Sequence, residues 1–198
     1  MGLFDFFRKK NADAMLVSGS EADQGLEDGK LAALLALSRR LSAGNEDIVQ
    51  EVSDAYLAPV EYCEKWQDRL DDRGITGPME GLPWIALVDA LIEERLADEM
   101  DWKSEGSTVL YVTRRLIARK QLLPHDKDWS EFEYDEQQRT EKMLETMKTK
   151  LEAYGIALAC MDMESDSYVL IAVRAEQLGE LKQLAHTAGY RIGNHFSS

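Results

Sequence analysis

The chain contains no run of about 18 apolar residues, the length a membrane-spanning helix requires. Cysteine is scarce, with only Cys63 and Cys160 among 198 residues. That excludes the disulfide framework of a small secreted domain, and both read as buried, reduced thiols in a cytoplasmic setting. Bases are outnumbered, 23 Lys and Arg against 37 Asp and Glu, for a net charge of −14. The basic footprint of a general nucleic-acid binder is therefore missing, whereas electrostatic steering towards a basic protein is open to it. Residues 1–10 lack a small-residue cleavage site, so no secretory signal is expected there. No glycine-rich phosphate loop, G-x-S-x-G elbow or H-E-x-x-H helix occurs. His125, His186 and His195 show no ligand-type spacing to one another or to either cysteine. No cofactor and no metal is expected, and an enzymatic role has no motif behind it.

What is present is an ordinary soluble composition, 44% hydrophobic and 30% charged, in a chain long enough to bury one core with a helical appendage. The stretch that organises it is residues 81–103, GLPWIALVDALIEERLADEMDWK. Pro83 suits a first helical turn. Trp84, Ile85, Leu87, Val88, Leu91, Ile92 and Leu96 cover most of the circumference, leaving a narrow stripe of Ala86, Asp89, Ala90 and Glu93 for water. Such a helix is a central packing element. Residues 97–103 then alternate through Met100 and Trp102 as a strand.

Around this core the signals are local. Residues 1–10 pair Leu3, Phe4, Phe6 and Phe7 with Arg8, Lys9 and Lys10, an apolar cluster followed by cations, as in a weak interfacial anchor. That stretch alone resembles the opening of the Min-system cell-division topological specificity factor. A short helix docking its phenylalanines on its own domain or a partner is the competing reading. Residues 11–29, rich in Ser, Gly, Ala, Asp and Glu, read as a linker. A helix follows over residues 31–41, then a second capped by Asn45 or Asp47 and ended by Pro59. A third spans residues 60–70 with Tyr62, Trp66 and Leu70 as a packing stripe.

Residues 108–121 form a helix whose Arg114, Arg115, Arg119 and Lys120 complement its negative C-terminal end. The segment 126–145 is strongly acidic. Its Ser130 and Glu133 form a capping box, and Trp129 with Tyr134 a hydrophobic staple, which together predict a helix starting at Ser130. Residues 156–161 and 168–173 are apolar runs that read as a hairpin covered on both faces. A helix over residues 176–188 ends at Gly189, and residues 190–192 supply a further strand. Asp162, Glu164 and Asp166 alternate like the opening of a calcium loop, but Ser167 and Val173 stand where the loop needs Gly and Glu. Short polar side chains closing a hairpin turn explain them better.

Two stretches, LPWIALVDALIEERLADEMDWK at residues 82–103 and DMESDSYVLIAV at residues 162–173, together resemble an uncharacterised bacterial family, a domain of unknown function. In that family a helix leads to a strand ending on an acidic-aromatic pair, here Asp101-Trp102, and a later hairpin carries an Asp-Ser-Tyr turn, here Asp166-Ser167-Tyr168. The resemblance covers about residues 82–192 and implies a small α+β domain with no established activity.

The expected fold is α+β, a small and mainly antiparallel sheet packed by helices, with an N-terminal helical subdomain. Its parts are a short amphipathic segment at 1–10, a flexible linker at 11–29, the helical subdomain at 30–77 and the α+β domain at 78–198. The expected function is a cytoplasmic protein-binding module, immunity- or inhibitor-like, engaging a basic partner. One alternative is an enzyme with a carboxylate site at Asp101 and Asp162 or Asp166. Another is peripheral membrane association through Leu3, Phe4, Phe6 and Phe7. The candidate binding residues are Asp101, Trp102, Asp162 and Asp166, where the strand end nears the 162–167 turn.

Overall fold

The structure, a computed structural model, describes residues 21–124, 128–130, 132 and 138–196, with side chains from Gly25 onward. In chain order these form α1 (Glu21–Leu41), α2 (Glu46–Leu57), α3 (Pro59–Lys65), α4 (Gln67–Asp72), α5 (Leu82–Glu93), β1 (Asp98–Asp101), α6 (Gly106–Arg119), α7 (Thr140–Glu152), β2 (Ile156–Met161), β3 (Ser167–Arg174), a 3-10 turn (Ala175–Gln177), α8 (Leu178–Thr187) and β4 (Ile192–Gly193). The fold is α+β, as the sequence pattern predicts. Contacts divide the described residues into two units, one running to Ala90 and including Thr187–Gly189, the other Leu91–His186 and Tyr190 onward. The division falls inside α5.

In the first unit α1 buries Leu34, Leu37 and Leu41 at helical spacing. The hydroxyl of buried Ser38 is satisfied by donating to the Leu34 carbonyl at 2.8 Å. The helix begins at Glu21, within the stretch expected to be linker. Glu27 holds that turn by accepting from Lys30 Nζ at 2.6 Å and from the Tyr56 hydroxyl at 2.7 Å. Asn45 caps α2, its side chain accepting from the Asp47 amide at 3.0 Å, a cap of about 1 kcal/mol. Pro59 acts as expected: α2 stops at Leu57, and Ala58 caps both α2 and α3. The single helix predicted over residues 60–70 is instead two, broken at Trp66 (φ −113°, ψ 26°), where the indole takes the Arg69 guanidinium 4.1 Å from its ring centre.

The water-facing stripe expected on α5 does not exist. Ala86 and Ala90 are buried, Asp89 is 5% exposed, and only Glu93 reaches solvent. The carboxylate of Asp89 is paired with Arg73, which is why it tolerates burial. At the end of α5 the Leu96 amide bonds Leu91 O at 2.7 Å and the Arg95 amide bonds Ile92 O at 2.9 Å, with Arg95 at φ +59°. This is a Schellman closure in which arginine stands where glycine is usual.

The second unit carries a four-stranded antiparallel sheet in the order β1-β3-β2-β4. β2 and β3 form the predicted hairpin, with Cys160 opposite Leu170. One face presents Met100, Leu158, Leu170 and Ala172 to a core shared with Val109, Val112 and Leu116 of α6 and Met143, Leu144, Met147 and Leu151 of α7. Each of these Leu, Val and Met side chains contributes about 1.5–3 kcal/mol by leaving water. Ala157, Ala159, Met161, Val169, Ile171 and Val173, on the other face, are also buried. Burial on both faces is what the unbroken apolar runs require.

Two predicted boundaries move. β1 ends at Asp101, so Trp102 lies outside the strand and is 43% exposed rather than continuing the alternation. No helix starts at Ser130. There the Asp128 carboxylate accepts from the Ser130 amide and hydroxyl, both at 2.8 Å, and the Phe132 amide closes a turn on Trp129 O at 3.0 Å. α7 begins instead at Thr140, after the extended Arg139 (φ −62°, ψ 147°). Thr140 is anchored by its hydroxyl on Ser104 O at 2.8 Å. Glu133 and Tyr134, which completed the predicted box and staple, lie outside the described residues, as do Asp126, Glu131, Asp135 and Glu136 of the acidic segment. Residues 1–10, with Leu3, Phe4, Phe6 and Phe7, lie outside them too. No helix of the described residues is long and apolar enough to cross a membrane.

Candidate functional site

β1 alternates between two environments. Asp98 and Met100 point inward, Asp98 pairing with Arg115 of α6, while Glu99 and Asp101 face out. Asp101 stands opposite Ser167 in the β1–β3 register. Beyond the strand the Trp102 amide donates to Asp166 O at 3.2 Å, so the chain after β1 is stitched to the hairpin turn before β3. The Asp101 carboxylate accepts from the Lys103 amide at 2.7 Å, curling the backbone back. This places the Lys103 ammonium 4.5 Å from the centre of the Trp102 ring. Glu99 accepts from the Ser167 hydroxyl at 2.7 Å, and Ser167 lies 2.9 Å from the Ser165 hydroxyl. Glu164 and Asp166 are exposed in the turn itself.

The structure thus brings together three of the four predicted residues, Asp101, Trp102 and Asp166. Asp162 is placed apart. It follows β2, so β3 lies between it and β1, a gap of two strand spacings or about 10 Å. Its carboxylate accepts from the Glu164 amide at 2.9 Å and from Arg191 Nε at 2.8 Å. The Asp162 amide also donates to Arg191 O at 2.9 Å. Closing the turn, as short polar side chains do, is the role this geometry assigns it. Among the described residues no three His, Cys, Asp or Glu side chains form a group that could hold a metal ion.

Two of the basic residues of α6, Arg115 and Arg119, are committed to acids rather than to the helix end alone. Arg115 pairs with Asp98, Arg119 reaches Glu94 at 3.0 Å on its carbonyl and 3.3 Å on its carboxylate, and Arg114 lies over the Trp129 ring at 5.4 Å. Burial pulls the Lys120 ammonium down to about 8. The cysteines are unbridged. Burial pushes the Cys160 thiol up to about 12, with the Asp162 and Glu99 charges adding to the effect, and it raises Cys63 as well. Neither is a ready thiolate at neutral pH. His186 and His195 are exposed, and His125 lies outside the described residues.

Sequence reasoning missed a second constellation, in the helical unit. The Tyr62 hydroxyl, fully buried, donates to Glu51 Oε1 at 3.0 Å and accepts from Arg69 at 2.5 Å, while Arg69 also pairs with Glu51. Arg69 Nε lies 3.6 Å from Asp89 Oδ2, and Arg73 grips Asp89 Oδ1 at 2.7 and 2.5 Å. Burial, reinforced by the Glu51 charge, raises the Tyr62 phenol well above its ordinary range. The group therefore stays protonated as a donor and offers no phenolate chemistry. What the cluster does is clamp α2, α4 and α5 together. The usable signal was the spacing of Tyr62, Trp66, Arg69 and Arg73, which continues one helical stripe with charged residues in place of apolar ones.

A family model described as "Domain of unknown function (DUF6630)" matches residues 33–196. The match takes in the resemblance seen over residues 82–192 and begins earlier, so most of α1 and all of α2, α3 and α4 fall within it. No curated protein and no solved structure matches the chain.

Proposed function

Because the chain belongs to the DUF6630 family, whose function is unknown, membership brings no activity with it, and we propose from surface chemistry that the protein is a binding module for a basic protein partner. An inhibitor that neutralises a basic toxin is one instance of that class. The observation that carries the reading is the bond from the Trp102 amide to Asp166 O. It sets Asp166 beside Trp102, whose indole is exposed and which follows the outward-facing Asp101 in the chain. Tryptophan anchors are enriched at interface hot spots, and carboxylates around one favour a cationic partner through steering and register. The Lys103 ammonium already rests on that indole, so the ring face accepts a cation, and an incoming Arg or Lys would replace Lys103 there.

The test is a pull-down from native lysate at low salt followed by a salt titration, with wild type beside Trp102→Ala and Asp166→Lys. The expected result is a basic protein retained by the wild type, released as salt rises and lost from both variants. Truncating the indole should weaken binding about 30-fold, the effect of a 2 kcal/mol hot spot. Recovery of no partner, or of one indifferent to salt or to both substitutions, sinks the reading.

A further inference from the structure

The helical unit carries three aliphatic side chains that burial leaves aside: Leu26 of α1, Leu57 at the end of α2 and Val60 at the start of α3, 60%, 67% and 54% exposed. Scattered single aliphatics on a surface need no explanation, but these share one end of the unit. The Tyr56 hydroxyl is bonded to both the carbonyl and the carboxylate of Glu27, at 3.2 and 2.7 Å. Leu26 and Leu57, the sequence neighbours of that pair, therefore lie at the same end of the α1–α2 hairpin. Val60 comes two residues after Ala58, the cap that α2 and α3 share. The same segments carry the exposed acids Asp28, Glu61 and Glu64, of which Glu64 shares a helix face with Val60 at i, i+4.

We propose that the chain's own residues 3–10 dock on this end of the helical unit, with Leu3, Phe4, Phe6 and Phe7 on Leu26, Leu57 and Val60, and Arg8, Lys9 and Lys10 against the acids. The complementarity is twofold, apolar to apolar and cation to carboxylate, in one short segment. Reach is ample. Residues 10 and 21 are eleven apart, a span of at most about 36–40 Å, while Leu26 lies only about 7.5 Å along α1 from Glu21. A tether of that length sets a local concentration in the millimolar range, so a weak contact suffices. The same segment acting alone on a lipid surface has no such help, and one short apolar face attaches only marginally.

The experiment uses the full chain with p-benzoylphenylalanine in place of Phe6, mixed with an equal amount of isotope-labelled chain and irradiated at high dilution. The expected result is cross-links within one chain to peptides containing Leu26, Leu57 or Val60. Leu57→Asp with Val60→Asp, at exposed positions, should cut their yield several-fold without moving the thermal midpoint. Cross-links elsewhere, links between labelled and unlabelled chains, or no links at all would overturn the proposal. Lipid adducts replacing the protein links when phosphatidylglycerol vesicles are added would overturn it too, naming the membrane as the occupant.

Discussion

Arg73 Nε donates to Asp89 Oδ1 at 2.7 Å, joining the residue that caps α4 to the buried side of α5. With Asp89 5% exposed, this charge is held by Arg73 and by Arg69 at 3.6 Å. A buried pair of this kind adds little over an apolar replacement, yet removing one member strands the other in a low-dielectric site. Asp89→Ala should therefore cost about 3–5 kcal/mol, measured by denaturant unfolding with the slope unchanged. A loss below about 1 kcal/mol would mean that the guanidinium groups find water instead.

Arg95 gives the opposite sign. Its φ of +59° is a conformation in which a side chain costs about 1–2 kcal/mol. Part of that saving is offset by the extra freedom glycine brings to the unfolded chain. Arg95→Gly should raise stability by roughly 0.5–1 kcal/mol, seen as a later denaturation midpoint. The apolar pair that accompanies the closure, Leu91 and Leu96, is buried and would remain in place.

These two residues mark where the sequence stops being readable. The hairpin, the Asn45 cap and the Pro59 break are all written in adjacent residues, so period and capping rules find them. Asp89 looked like a solvent position because the arginine that neutralises it lies sixteen residues back, beyond any local pattern. The end of α5 lacked its glycine. Ser130 carried a capping signature, but the Asp128 carboxylate, two residues away, takes both its amide and its hydroxyl. At the strand end the approach of Asp101 and Trp102 to Asp166 followed from hairpin topology. The tie of Asp162 to Arg191 did not, because β4 is too short to announce its register.

Lys120 makes stability depend on pH in the alkaline range. Burial holds its folded value at about 8, below the unfolded value near 10.4. Between those two values the unfolded chain binds more protons than the folded one, so stability from this group rises as pH climbs from about 8 to 10. Below about 8 the charged form is present in both states and the desolvation cost stands in full. Lys120→Met removes that cost and should stabilise the protein at pH 7 by about 1–3 kcal/mol. Unfolding midpoints from pH 7 to 10 should converge for the two proteins. A constant gap across that range would assign the gain to packing alone.

The sheet order β1-β3-β2-β4 puts the two long strands in the middle and leaves four residues, Asp98–Asp101, on one flank and two, Ile192–Gly193, on the other. A neighbouring molecule seeking to extend the ladder would find few backbone groups to pair with, and on the longer flank two outward carboxylates besides. Short, charged margins of this sort keep β-sheets from joining edge to edge. The strands with the greatest tendency to aggregate, ALAC and VLIAV, are thereby enclosed by the least inviting ones, and the guard against edge-to-edge joining sits at the sheet margins themselves.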